Sequence, residues 1–355
     1  MKIKSALLIA VGLTLAASAA WSQDQPAARA PAGAANTGTV PAPRGAGGGG
    51  GRQPAANWWS QAGGEGGPRR IVWAAQKDPE TPYNAINKPI WHIADIIKSH
   101  SGQARWEQKA LLNRDYDGRY IQMAPGDKTK CMFYADDRVF GWVFQGSLKV
   151  TIAGQDPNKV LPKGWVFNVA PRLTYCLENV GTTPVIMFKV TPAGQAPSYT
   201  EDVTPDPMPG WKYVKASITS TGGYDAYNIP FMNVDEYGAS NRIGAKFLYD
   251  GHTSSNLNLA DPIKELAPDT NWGHFHENMQ ETWLDVFGNV CARISGAGVV
   301  HGVYGDLINA NEERWHRASS CPESATRSIR MAITPRSMEG QVHYYQPELQ
   351  PGGGE

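Results

Sequence analysis

Hydrophobic positions divide the chain into three regimes. Between Ala6 and Ala17 they run almost unbroken, "ALLIAVGLTLAA", behind Lys2 and Lys4. The run is too short to span a bilayer comfortably, starts basic, and is followed by small residues in "ASAAWSQ". It predicts a signal peptide over residues 1–22, cleaved near Ala19 to Ser22. From Gln23 to about Pro68 the pattern vanishes into Ala, Pro, Gly and Gln, including "GAGGGGGRQPAA". Such a segment cannot bury a core and is expected to be a flexible linker over 23–68.

Order is expected from Arg69. In "PIWHIADIIKSH" (Pro89–His100) the apolar residues recur at helical spacing, with Pro89 placed as a first helical residue would be. From Cys131 onward the pattern becomes short strands. "RVFGWVFQGSLKVTIAG" predicts two of them joined around Gln145-Gly146, and "GWVFNVAP" and "PVIMFKVTP" follow. "PSYTEDVTPDPMPGW" reads as a connection, after which "AKFLYD", "TWLDVFGNVCARISGAG", "VVHGVYGDLI" and "SIRMAITP" repeat the theme. Short strands punctuated by Gly, Pro, Asn and Asp indicate an all-β sandwich or barrel, here twice in tandem with a few short helices. The expected units are 69–200 and 241–346, joined by 201–240 and followed by a disordered tail over 347–355.

Composition narrows the function classes. Hydrophobic residues make up 41% and charged residues 19%, in the ordinary globular range. Net charge is zero, from 33 basic and 33 acidic side chains with no basic stripe, which argues against nucleic acid as a partner. No later segment is apolar for long enough to span a membrane, and no cysteine follows the leader to carry a lipid. The mature chain is therefore expected to be periplasmic or secreted, with no membrane span after signal cleavage. Export permits disulfides. Of the three connectivities open to Cys131, Cys176, Cys291 and Cys321, the economical one pairs Cys131–Cys176 and Cys291–Cys321, two cysteines in each half. The 12 Trp serve either as packing anchors or as a platform for a sugar or aromatic ligand.

The candidate chemistry lies in "GHFHENMQETWLDVFG", Gly273 to Gly288. On a strand, His274 and His276 share a face and offer two imidazoles to one ion; on a helix they would diverge. The following "ETWLDVFGNV" is rich in strand formers and favours the first reading. A His-Glu-x-x-His zinc helix is excluded, because Gln280 stands where its second histidine must be. A short loop can return Glu281 to the same ion, and His316 in "NEERWHRASS" is the natural fourth ligand. Glu277, Gln280, Glu312 and Arg314 cluster near these residues as acid, base or carboxylate-clamp candidates, against the plainer reading of solvated loop residues. His301 is a strand residue that could face a substrate, with Tyr304 three positions on and facing the other way. Trp272 is the best substrate-facing ring, Trp283 and Trp315 read as packing, His92 as a packed or capping residue, and His252 and His343 have no evident partners.

These residues resemble the cupin superfamily. Its first motif, His-x-His, three or four residues, Glu, six residues, Gly, is matched by His274, His276, Glu281 and Gly288. Its second, Gly, five residues, Pro-x-Gly, two residues, His, is matched at Gly305 and His316, with Asn311 and Glu313 replacing the Pro and second Gly. Pro268 also replaces the Gly expected before the first histidine. The resemblance implies a jelly-roll barrel holding one divalent transition metal through His274, His276, Glu281 and His316. That donor set suits Fe, Mn, Cu, Ni or Zn. The first unit resembles a cupin without its metal, since no histidine lies between His100 and His252 and Tyr175 or Cys176 stands where the last ligand would be. A Cys131–Cys176 disulfide is then expected where the second unit has its ion. Cupins with this ligand set resemble dioxygenases, decarboxylases, lyases and isomerases. The first expectation is an oxidoreductase of dioxygenase type, acting on a small oxygen-bearing molecule with O₂ as co-substrate. The alternatives are a redox-neutral lyase, decarboxylase or isomerase, and a non-catalytic binding protein for a sugar or phenolic ligand. Edge strands of such barrels often pair, so a homodimer is a further expectation.

Overall fold

The computed structural model describes residues 78–225, 228–239, 245–249, 253–260, 274–276, 279–335 and 343–345, all within one compact unit, Ala56–Glu355. For 238–239, 245–247, 249, 253–256, 274, 335 and 343–345 it describes the backbone only. The segments read as signal peptide, linker and tail, together with Trp272, Glu277 and His252, fall outside the described residues.

The described chain opens with β1 (Ile90–Trp91) and α1 (Ile93–Ser99). The first set of strands is β2 (Trp106–Leu112), β3 (Tyr116–Met123), β4 (Val139–Gln145), β5 (Ser147–Ile152), β6 (Val160–Pro162), β7 (Trp165–Val169), β8 (Tyr175–Asn179), β9 (Val185–Pro192) and β10 (Phe231–Asn233). After α2 (Val234–Ala239) come β11 (Ala245–Tyr249), β12 (Thr253–Ala260), β13 (His274–His276), β14 (Glu281–Phe287), β15 (Val290–Ile294), β16 (Gly298–Gly302), β17 (Leu307–Ala310), β18 (His316–Ser320), β19 (Ser328–Pro335) and β20 (His343–Tyr345). The protein is all-β, and the strands expected from "RVFGWVFQGSLKVTIAG", "GWVFNVAP", "PVIMFKVTP" and "TWLDVFGNVCARISGAG" form where the alternation puts them.

The topology repeats. One six-stranded sheet runs β10-β7-β4-β9-β3-β2 and the other β1-β17-β14-β19-β12-β11. Each is backed by a smaller sheet, β6-β5-β8 in the first half and β16-β15-β18-β13-β20 in the second. The repeat holds at single hydrogen bonds. The amide of Asn168 donates to Pro230 O, and that of Asn309 to Pro89 O. The amide of Arg172 donates to Tyr134 O, and that of Glu313 to His276 O. The two edge strands are exchanged: β1, from the start of the chain, completes the second sheet, whereas β10, just ahead of the second half, completes the first.

That exchange corrects the reading of "PIWHIADIIKSH". Ile90 and Trp91 pair with Ile308 and Leu307 as strand, and the helix begins only at Ile93. Sheet pairing overrides the helical spacing of these residues, and Pro89 supplies a carbonyl to the sheet instead of opening a helix. His92 sits at the helix N-cap without capping it; its Nδ1 lies 2.8 Å from Asp306 Oδ2.

Among the described residues, apolar side chains close three cores. Trp142, Phe140, Phe188 and Val190 of the first large sheet pack against Leu284, Val286, Leu307, Met331 and Ile333 of the second. Each such side chain contributes roughly 1.5–3 kcal/mol when fully buried. Separate clusters fill the two interiors. Leu148, Val150, Phe167 and Tyr175 belong to the first, and Trp283, Val290, Ala292, Ile294 and Ile308 to the second.

Candidate metal centre

The second interior carries the polar exception. His276 on β13, Glu281 on β14 and His316 on β18 converge there, with both imidazoles 1% exposed. Glu281 Oε2 is 3.1 Å from His276 Nε2 and 3.1 Å from His316 Nε2. One ligand atom from each of the three residues lies within 4.8 Å of the others. His316 Nδ1 donates to the Arg314 carbonyl at 2.7 Å, which turns Nε2 towards the Glu281 carboxylate. Two imidazole nitrogens and a carboxylate oxygen so placed could share one cation. The Trp283 indole donates to Glu281 Oε1 at 2.9 Å, so that oxygen is occupied and Oε2 is turned inward. The donor set thus fits one divalent metal ion, held by imidazole and carboxylate with hydrogen bonds behind the ligands that fix their orientation.

His274 shares this strand. Its Cα is in register with His316, and on β13 it stands two residues from His276, the spacing that places two side chains on one face. Its side chain lies outside the described residues.

The loop carrying His316 is held by an unusual backbone and by the N-terminal segment. Glu313 has φ +64°, the left-handed conformation that a glycine would adopt freely, and Arg172 has φ +63° at the matching place in the first half. Asn311 and Glu313 therefore do not abolish the turn of the second motif. The backbone keeps it at a cost of roughly 1–2 kcal/mol. The motif glycines Gly288 and Gly305 have φ +68° and +95°. A Cβ at Gly305 would stand 2.6 Å from the Phe144 ring. Against the loop lies the segment Glu80–Pro89. The Thr81 amide donates to Glu312 O at 3.1 Å, and Asn311 Nδ2 donates to Pro82 O at 3.1 Å. Arg314 donates through Nη1 to Glu80 at 2.8 Å and to Ser295 O at 2.7 Å, and through Nε to Thr81 O at 3.0 Å. Its guanidinium lies 4.2 Å from the centre of the Tyr83 ring. Burial pushes the Tyr83 hydroxyl up to about 12, and that hydroxyl donates to Asn309 O.

Four candidates from the sequence are not brought to the centre. Arg314 is spent on the N-terminal segment. Gln280 turns to the opposite face of β14, where its amide meets Thr282 Oγ1 and Asn309 Oδ1 at 3.2 and 3.0 Å. His301 is exposed, with Nδ1 beside Cys291 Sγ and Glu323. Tyr304 lies in the seam between the halves, edge-on to Trp142 and beneath Lys163. Burial holds its hydroxyl protonated far above the usual range. Trp283 does more than pack, as its hydrogen bond to Glu281 shows. Further along the same face of β14, Asp285 is paired in register with Arg330 of β19. Burial first, then the Asp306 carboxylate, pushes the Asp285 carboxyl well above the carboxylate range. Sequence adjacency missed this pair; alternation along β14 signals Asp285, while nothing local signals Arg330.

Both disulfides pair as the economical reading has it, Cys131–Cys176 and Cys291–Cys321. The first does not stand where the ion of the second half would. The pairings Met132↔Tyr175 and His274↔His316 are equivalent, as are Val139↔Val169 and Glu281↔Ala310. The ligand positions of the first half are thus Met132, Tyr134, Val139 and Tyr175. The cysteines are their sequence neighbours and so point to the other face of the strands.

No family model and no curated protein matches the chain. Among solved structures it is similar to a cupin 2 conserved barrel domain protein from Leptotrichia buccalis, at 9% identity and a TM-score of 0.49, over 71% of this chain and 100% of that one. It is also similar to a deletion mutant of Bacillus subtilis oxalate decarboxylase, at 12% identity and a TM-score of 0.44, over 81% and 88% of the two chains. At such identities and scores these likenesses assign no residue a role. Strand order, the internal repeat and the motif spacing are the chain's own, and by them it folds as two tandem β-barrels of cupin type, with a candidate metal-ligand group in the second.

Proposed function

We propose that the protein is an exported, metal-dependent enzyme of dioxygenase type, acting on a small oxygen-bearing molecule inside the second barrel. The observation that carries this reading is the Glu281 carboxylate oxygen 3.1 Å from two buried imidazole nitrogens. His276, Glu281 and His316 would hold the ion, with His274 as the fourth ligand. A redox-active ion held there would supply Lewis-acid polarisation and electron transfer between substrate and O₂.

The chain's own residues position and exclude. The Arg314 carbonyl fixes the ring of His316, and the Trp283 indole fixes the Glu281 carboxylate. Trp283, Ile294, Ile308 and Ala310 line an apolar interior that keeps water from the reacting atoms. Among the described candidates Gln280, His301, Tyr304 and Arg314 are turned elsewhere, so the ion and its ligands carry the reading. Two disulfides support an oxidising compartment.

The test is oxygen uptake. Protein loaded separately with Fe, Mn, Cu, Ni and Zn is mixed with a panel of catechols, enediols and vicinal dicarbonyls. Substrate-dependent O₂ consumption with a redox-active ion, absent with Zn and in His316→Ala, is expected. Turnover without O₂ uptake, or equal turnover with Zn, overturns the dioxygenase reading.

A further inference from the structure

We propose that the Cys291–Cys321 disulfide is one state of a redox-gated metal site. Once that bond is reduced, the two thiolates close on a divalent ion of zinc type together with His301 and Glu323. The site is separate from the barrel centre and does not depend on the function proposed above.

Cys291 on β15 is directly paired with His301 on β16, and Cys321 follows the end of β18, its amide donating to Asn289 O. His301 Nδ1 lies 3.2 Å from Cys291 Sγ and 3.3 Å from Glu323 Oε1. The four potential ligand atoms all lie within 4.8 Å of one another. In a tetrahedral zinc site, with Zn–S of ~2.3 Å and Zn–N of ~2.0 Å, ligand atoms stand about 3.3–3.7 Å apart. The nitrogen and oxygen arms already have that spacing. The two sulfurs are too close while bonded, and breaking their bond lets them separate.

Two thiolates, an imidazole and a carboxylate form a donor set that selects zinc-like ions over Ca²⁺ or Mg²⁺. Both cysteines are fully buried, whereas His301 and Glu323 are exposed, so an ion enters from the solvent side. Val290 and Ala292 line the barrel interior, and alternation puts Cys291 on the opposite face, away from His276, Glu281 and His316. The redox step balances with a named reductant. A phosphine and water give phosphine oxide, the S–S bond takes up two electrons and two protons, and both thiols lose their protons on ligating the ion. Disulfide and ion then staple the same span, of sequence separation 30, under oxidising and reducing conditions respectively. The other disulfide is an internal control. Among the described residues no histidine or carboxylate joins Cys131 and Cys176 in a comparable group.

The experiment uses the native full chain, a water-soluble phosphine and Co²⁺ as a probe. The barrel centre offers nitrogen and oxygen donors, so a thiolate-to-cobalt charge-transfer band comes from a cysteine pair, and its loss in Cys291→Ser with retention in Cys131→Ser assigns it to this site. The band is expected only after reduction, saturating at about one equivalent, displaced by Zn²⁺ and absent in Cys291→Ser. His301→Ala, checked by circular dichroism to keep its oxidised fold, should weaken Co²⁺ binding at least ~10-fold. The proposal is overturned if reduced protein gives no band, if the band in His301→Ala is undiminished, or if the reduced chain unfolds and stays unfolded with the ion present.

Discussion

The two barrels run the same backbone programme with different interiors. Where the second barrel has His276, Glu281 and His316, the first has Tyr134, Val139 and Tyr175. Below them the second has Asp285 paired with Arg330, and the first has Val143 paired with Met187. The first interior therefore has no histidine–glutamate set: Tyr175 fills the place of a ligand with a fully buried ring, among Leu148, Val150 and Phe167, and the charged Asp117, Arg119 and Lys189 share the same face of β3 and β9. Both barrels keep the positive-φ residue before the last ligand position, Arg172 in one and Glu313 in the other. The difference teaches that the left-handed turn belongs to the fold and the ligands to the chemistry. A barrel can lose its donors and remain stable if the vacated column is repacked with hydrophobic volume.

Substitutions at matched positions break this comparison most strongly. His316→Ala should lower metal affinity by more than the ~100-fold that loss of a supporting contact reaches, by equilibrium dialysis, with the fold retained. Tyr175→Ala, its counterpart, should leave metal content unchanged and cost about 3–5 kcal/mol in urea unfolding. If Tyr175→Ala lost metal and His316→Ala kept it, the assignment of roles to the two barrels would be reversed.

A smaller effect is expected from the N-terminal segment. Glu80→Gln removes the carboxylate that holds Arg314 and, through its carbonyl, His316. Metal affinity should fall about 10-fold, with Glu80→Asp recovering part of it. An unchanged affinity would mean that the segment only covers the barrel. Trp283→Phe should act similarly on Glu281 and cost about 1 kcal/mol of stability for the lost hydrogen bond.

The smallest effect is a change of slope with pH. The Asp285 carboxyl is raised in the folded state, so its contribution is fully present below the unfolded carboxylate range and is lost as pH rises toward its folded value. Asp285→Asn should therefore flatten the decline of stability above about pH 4 and raise stability at neutral pH. A decline as steep as that of the parent protein would show that Asp285 is ionised in the fold, with Arg330 as its counter-charge.

Much of this was legible in the sequence, because a period of two is hard to disguise. The strands, the tandem repeat and the spacing from His274 to His316 could be read directly. The placement of Gln280 was legible too but was read by adjacency. One residue before a strand ligand means the opposite face, whereas Trp283 and Asp285, two and four residues after Glu281, share its face. The exchanged strand β1 was not legible, since two residues have no period and "PIWHIADIIKSH" carries a stronger helical signal. Nor was the clamp of Glu80 and Tyr83 on Arg314, a contact across more than 200 residues that only the folded chain creates.

The central claim is that one barrel of two holds an ion. The direct measurement is metal content per chain in oxidised protein, with the ion located by anomalous scattering in a crystal. The account predicts one ion per chain, between His276, Glu281 and His316, and none beside Tyr175. Two ions per chain, or one ion in the first barrel, would contradict it.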